Sequence, residues 1–224
     1  MRATLRSAAR SVHRGHVFRR AMRRFLDDPG ACADPASAAL GELIYGWGNE
    51  SWSASGHYLA GCIRHALDTR GPTLECGSGL STILLGAIAR QRGERHWALE
   101  HAPEWAARVQ ACLHRYGLDC VAMCANPLKD YGPYSWYDAP LDSMPESFAL
   151  VICDGPPGST PGGRYGLAPV MNTRLEPGCV ILLDDAGREP ERAIAQRWAH
   201  ELCATQETLG EARPYIRMTV GARP

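Results

Sequence analysis

Residues 73–85 read Thr-Leu-Glu-Cys-Gly-Ser-Gly-Leu-Ser-Thr-Ile-Leu-Leu. A short apolar run ends on the acid Glu75, glycines follow at Gly77 and Gly79, and an apolar pattern with helical spacing begins at once. That order is a strand, a tight turn and a helix. Glycine at two alternate positions lets the backbone approach a ligand closely, and the first turn of the new helix aims its free N–H groups and positive dipole end at the same spot. The segment therefore reads as a cradle for a small polar molecule, with a purely structural strand-to-helix turn as the alternative.

The residues around the glycines narrow the ligand. A dinucleotide fingerprint has glycine at the sixth position of Gly-x-Gly-x-x-Gly, where this chain has Thr82. Glu75, two residues before the first glycine, suits a cofactor with an ammonium or sulfonium and repels phosphate; S-adenosylmethionine is such a cofactor. The pattern Glu75-x-Gly77-x-Gly79-x-Ser81 resembles the first motif of class I S-adenosylmethionine-dependent methyltransferases, with Ser81 standing where many members carry a third glycine. A second strand is expected over residues 96–100 and ends in Glu100, 21 residues beyond Gly79. An acid near that offset accepts hydrogen bonds from ribose hydroxyls in nucleotide-binding βαβ units. Glu100 can equally cap the helix expected over residues 103–114, a task His101 could share.

The chain has 224 residues, 45% of them hydrophobic, enough for one sizeable domain with a short extension. No apolar stretch is long enough to span a bilayer and the start lacks the apolar middle of a secretory signal, so a soluble cytoplasmic protein is expected. The nine cysteines form no Cys-x-x-Cys pair, and several, such as Cys76, Cys153 and Cys179, fall in or beside apolar runs, which points to reduced packing residues. Formal charge is zero overall but unevenly spread. Residues 1–26 hold eight arginines and no acid, leaving 16 basic against 24 acidic side chains in the remainder. Leu5, Val12, Phe18, Met22 and Phe25 make a rough apolar side opposite an arginine stripe, as in a surface helix docked on an acidic body. A membrane-surface, nucleic-acid or transit role ranks lower, because 23 arginines against the single Lys129 show an arginine bias along the whole chain. Pro29-Gly30 and Asp34-Pro35 mark a linker, dividing a basic helical extension (1–34) from a catalytic domain (35–224).

Within that domain, residues 35–47 and 53–67 have helical spacing, and Trp47, Trp52, His57 and Tyr58 are candidate lid residues over the cleft or, alternatively, seals against the sheet. A third strand over 120–124 is followed by Asn126, placed by the resemblance beside the adenine. Residues 130–138 are too rich in turn residues for a strand, and their aromatic rings are candidates for a cation–π contact with a sulfonium. The unbroken apolar run 148–153 fits a central parallel strand and ends in Asp154 before a Pro/Gly-rich loop. A fifth strand over 179–183 ends in Asp184-Asp185, a helix spans 189–202, and two strands, 205–209 and 215–220, close the chain. So few residues separate the last two that they must pair antiparallel, which favours a methyltransferase sheet over a dinucleotide-binding one.

The fold expected is a Rossmann-like, doubly wound seven-stranded α/β sheet with a C-terminal antiparallel hairpin and N-terminal helices. The order of strand, acid, glycine loop, helix, Leu175-x-Pro177-Gly178, strand and Asp-Asp is similar to the small-molecule O-methyltransferase branch. That resemblance implies Asp154 and Asp184 as catalytic residues; Glu75, Gly77, Gly79, Ser81, Glu100, His101, Asn126 and Asp154 as cofactor contacts; and Asp154, Asp184 and Asp185 as ligands of a divalent cation such as Mg²⁺. Arg164 or Arg188 could neutralise the three acids instead. The reaction implied is methyl transfer from S-adenosylmethionine to a small-molecule acceptor, at oxygen, with no nucleic acid partner. Aminopropyl transfer, oxidoreduction and a non-catalytic binding role are the alternatives.

Overall fold

The computed structural model describes residues 2–49 and 54–222, with side chains described from residue 10 onward. Trp52 and the side chain of Leu5 lie outside what is described. The chain begins with α1 (Arg2–Asp27), α2 (Ala38–Trp47) and α3 (Gly56–Asp68). There follow β1 (Thr73–Cys76), α4 (Leu80–Arg92), β2 (His96–Glu100), α5 (Pro103–Arg115) and β3 (Val121–Ala125). A small hairpin, β4 (Leu128–Asp130) and β5 (Ser135–Tyr137), precedes β6 (Leu150–Cys153), α6 (Leu167–Met171), β7 (Val180–Leu183), α7 (Glu189–Glu201), β8 (Thr205–Leu209) and β9 (Tyr215–Thr219).

The main sheet has seven strands in the order β3-β2-β1-β6-β7-β9-β8. Strands β3, β2, β1, β6 and β7 are parallel, while β9 runs antiparallel to both β7 and β8. The strand order reverses between β1 and β6, and α/β sheets bind ligands beyond the carboxyl ends of the strands at such a point. Glycine 77, Ser78 and Asp154 lie there.

Strand residues alternate between the two faces, as period-two side chains must. Leu150, Ile152 and Leu182 join the core beneath α1 to α5, whereas Val151, Cys153, Ile181 and Leu183 join the core beneath α6 and α7. Helix α1 is part of the first of these cores: Ala21, Met22 and Phe25 are fully buried there and Phe18 nearly so. Its outer face is basic, with Arg20 and Arg24 both paired to Glu42 of α2. Val12, expected on the apolar side, is instead exposed, although its neighbours His13 and Arg14 meet the Tyr45 ring of α2.

The stretch 130–138 departs from its expected irregular course. Leu128 pairs with Tyr137 and Asp130 with Ser135 in an antiparallel hairpin. The turn closes through the Asp130 carboxylate, which accepts from the Gly132 N–H at 2.7 Å, and through stacking of Tyr131 on Tyr134 at 5.2 Å. Among the described residues no α-helix links β3 to β6. Trp136, Tyr137, Met144 and Phe148 pack against Leu74 and Leu99 on the face that a crossover helix would otherwise cover.

Candidate functional site

A cleft of about 430 Å³ opens over the carboxyl ends of β1, β2, β6 and β7, within the range of roughly 300–1,000 Å³ usual for small-molecule sites. Its walls fall into two halves. One carries Gly77, Ser78, Glu100, His101, Trp105 and Tyr137; the other carries Asp154, Arg164, Asp184, Asp185, Arg188 and Arg213.

The first half is built on the turn after β1. Gly77 has φ 87°, in the left-handed region, and a side chain there would press on the backbone of Gly155 at 3.1 Å. Only glycine satisfies both the conformation and the close approach of β1 to β6. Glu100, 4% exposed, ends β2 directly opposite this turn. One carboxylate oxygen accepts from the backbone N–H and the hydroxyl of Ser78, at 3.0 and 2.8 Å; the other accepts from the N–H groups of His101 and Ala102, at 2.8 and 2.9 Å. Glu100 is thus both the clasp that shapes the turn and an acid facing the cleft. His101 also lines the cleft, its Nδ1 3.2 Å from Glu100. The Trp105 indole N–H, donating to the Ser78 carbonyl at 2.7 Å, holds the turn from the other side.

Several residues expected to meet the cofactor lie elsewhere. Glu75 is fully buried and does not line the cleft. Its neighbours Leu74 and Cys76 point to the α6–α7 face, so strand alternation turns Glu75 beneath α4. There it accepts from the Ser81 hydroxyl in a short hydrogen bond and lies 3.1 Å from His96 Nε2, whose Nδ1 lies 2.7 Å from the Thr73 hydroxyl. Ser81 is occupied by this buried network, and the Gly79 N–H is taken by the Thr82 hydroxyl at 2.8 Å. Neither lines the cleft. Asn126 is half-buried and donates to the Asp138 carbonyl at 2.6 Å, bracing the hairpin away from the cleft. Of the lid candidates, Tyr58 is core and donates its hydroxyl to the Leu182 carbonyl at 3.0 Å, Trp47 is packed between Phe18 and Trp105, and His57 faces solvent away from the cleft.

In the second half, Asp154 follows β6 and Asp184 and Asp185 follow β7, so the parallel pairing brings the three acids to one edge. Arg164, 2% exposed, lies among them. It donates to the Asp154 carboxylate at 3.1 Å, to the Asp185 carboxylate at 2.7 Å and to the Asp184 carbonyl at 2.7 Å. The loop 155–163 returns the chain to place this guanidinium. Burial pushes the Asp154 carboxyl up to about 8, with Arg164 opposing and the neighbouring acids Asp184 and Asp185 adding to the rise. Asp184 is raised to about 6, again first by burial, while its hydrogen bond from the Asp185 N–H pulls it back. Burial opposes the charge of Arg164, but Asp154 and Asp185 outweigh it and hold the guanidinium above its ordinary value.

The expected divalent cation does not fit here. Metal ligands have to present carboxylate oxygens to one point, and a guanidinium already occupies that point by bonding Asp154 and Asp185. Among the described residues no group of three or more acids, histidines or cysteines is disposed to hold a metal. A nucleoside cofactor does fit the first half, where backbone comes close at Gly77 and Glu100 faces the cleft. One more feature suits a ligand: the Tyr137 hydroxyl, on a side chain 1% exposed, has no hydrogen-bond partner among the described residues. It sits where a side chain on Gly155 would meet it at 2.4 Å. Tyr137, Ser78, Trp105 and Arg213 were not legible as site residues. Tyr137 alone had a signal, as one of the aromatic residues in 130–138.

A model of the methyltransferase-domain family matches residues 74–186, half of the chain. None of the curated proteins matches it by sequence. Solved structures with the same fold include precorrin-6y C5,15-methyltransferase from Geobacter metallireducens GS-15, 15% identical with a TM-score of 0.57 over 77% of this chain and 92% of that one. The SAH-bound methyltransferase of Podospora anserina is 16% identical, with a TM-score of 0.59 over 78% and 82%. The O-methyltransferase from Bacillus cereus in complex with SAH is also 16% identical, with a TM-score of 0.52 over 81% and 90%. With its seven-stranded sheet, antiparallel final hairpin and glycine turn after β1, this chain belongs to the methyltransferase-domain family and has the class I fold of S-adenosylmethionine-dependent methyltransferases.

Proposed function

We propose that the protein moves the methyl group of S-adenosylmethionine to an oxygen of a small-molecule acceptor, with Asp154 as general base and no divalent cation. The observation that carries this reading is Asp154 itself, a carboxylate facing the cleft at the strand-order reversal, held 3.1 Å from a buried guanidinium. In this reading Gly77, Ser78, Glu100 and His101 hold the nucleoside, Glu100 receiving the ribose hydroxyls as the Ser78 hydroxyl turns away. The cofactor supplies, when bound, an electrophilic methyl on a sulfonium. Asp154 would take the proton from the acceptor's hydroxyl oxygen, leaving that oxygen as the nucleophile for the methyl group. A base whose carboxyl titrates near 8 is well matched to that task at neutral pH. Arg164 fixes the carboxylate's direction and supplies the positive charge that a metal would otherwise bring. Most of the remaining rate comes from holding acceptor and methyl in line in a cleft that excludes water.

The test begins with calorimetric titration of S-adenosylmethionine and, separately, NAD; binding of NAD alone would end the reading. On an acceptor found by screening hydroxylated compounds, EDTA should leave the rate unchanged. Asp154→Asn should lower kcat by about 10²–10⁴-fold. In the unaltered protein kcat/KM should climb with pH through about 8, as the Asp154 carboxyl loses its proton. A rate abolished by EDTA and restored by Mg²⁺ would remove Arg164 from the role given to it.

A further inference from the structure

We propose that the acceptor is an anion, carrying a carboxylate or a phosphate next to its reacting hydroxyl, and that Arg188 and Arg213 bind that group at the mouth of the cleft. The proposal rests on the methyl-transfer reading above and identifies the acceptor's class.

Two guanidiniums from unconnected elements converge on the half of the cleft away from Glu100 and Trp105. Arg188 is the N-cap residue of α7. Its Nη1 lies 3.0 Å from the Asp185 carboxylate and 3.7 Å from that of Glu191, yet its side chain is 57% exposed. Both acids meet the same nitrogen, so the guanidinium is anchored at Nη1 while the side chain as a whole stays open to solvent. Arg213 comes from the turn between β8 and β9, and that turn is fixed to the end of β7 by the Ala186 N–H donating to the Pro214 carbonyl at 2.9 Å. Its charge reaches the acids of the site, since Arg213 is one of the groups lowering the Asp184 carboxyl against the rise caused by burial.

Arg164, Arg188 and Arg213 line this half together with Asp154, Asp184 and Asp185, and Arg164 is the guanidinium committed to the acids, bonding Asp154 and Asp185. The first turn of α7 adds the positive end of a 13-residue helix at Arg188. A planar carboxylate or a phosphate matches the fork of a guanidinium, as a neutral acceptor does not.

The experiment uses the full chain loaded with S-adenosylhomocysteine, titrated calorimetrically with 2-hydroxybenzoate, 2-hydroxyphenyl phosphate and the neutral 2-hydroxybenzamide. At least one of the two anions should bind about tenfold or more tighter than the amide, and which anion wins distinguishes a carboxylate from a phosphate. In the double variant Arg188→Gln/Arg213→Gln that advantage should shrink to about threefold or less, as expected when charge-assisted bonds are removed. The variant's affinity for S-adenosylhomocysteine, read in the same instrument, should stay within about twofold, since neither side chain belongs to the Glu100 half. The proposal is overturned if neither anion binds the loaded protein, if the amide binds as tightly as both, or if the preference survives in the double variant. Failure of S-adenosylhomocysteine itself to bind is a separate result and sinks the cofactor reading instead.

Discussion

At the scale of single residues, the site depends on which way a carboxylate points. Glu75, one residue before the end of β1, and Glu100, the last residue of β2, both lie next to the glycine turn, and both are suited by type to a cationic nucleoside. Parity separates them: Glu75 turns under α4 to meet Ser81 and His96, and Glu100 faces the cleft. The consequence is testable on Glu100. Glu100→Ala removes a carboxylate that accepts four hydrogen bonds and, in the proposed complex, those of the ribose. It should weaken S-adenosylmethionine by roughly 2–4 kcal/mol in calorimetric titration, and an unchanged dissociation constant would take Glu100 out of the cofactor site. Glu100 was legible because its spacing from Gly79 follows the geometry of a βαβ unit. Tyr137 was not, because only the packing of the β4–β5 hairpin brings its hydroxyl beside Gly155.

At the scale of elements, α1 is the instructive case. Arg10, Arg19, Arg20, Arg23 and Arg24 lie on its solvent face, as the arginine stripe suggests, and Arg20 and Arg24 meet an acid, Glu42. The depth of its other face was not legible, since how far a helix sinks depends on what packs above it. Phe25 and Met22 are fully buried with residues of α2, α3 and α4. Phe25→Ala should therefore cost about 3–5 kcal/mol of unfolding free energy, measured by urea denaturation. Loss below about 1 kcal/mol would show α1 to be a separable extension, as its linker residues suggest. The β4–β5 hairpin is the converse case. Its Gly132-Pro133 turn was visible, but its pairing depends on contacts of Trp136 and Tyr137 with β1 and β2 that lie far away in the chain.

At the scale of the whole molecule, Arg164 ties the ends of β6 and β7 together, and the acids around it couple stability to pH. The folded chain holds the Asp154 proton up to about pH 8, against an ordinary carboxyl value of 3.8. Between those values the native state binds more protons than the unfolded state, so this contribution to stability is complete at low pH and is lost as pH rises through about 8. Asp184 acts in the same direction over the narrower window up to about 6. The urea midpoint of Asp154→Asn should consequently fall less between pH 5 and pH 9 than that of the unaltered chain, and an identical fall would show that Asp154 carries no such burden. The seven strands of the main sheet, the antiparallel ending and the glycine turn followed from the sequence alone, because apolar runs, turn residues and short connections act locally and leave few topologies open. Whether three aspartates would gather a metal or a guanidinium, and which of two glutamates would face the ligand, was decided only by the tertiary structure: side-chain direction and burial depend on neighbours that the chain brings together from distant positions.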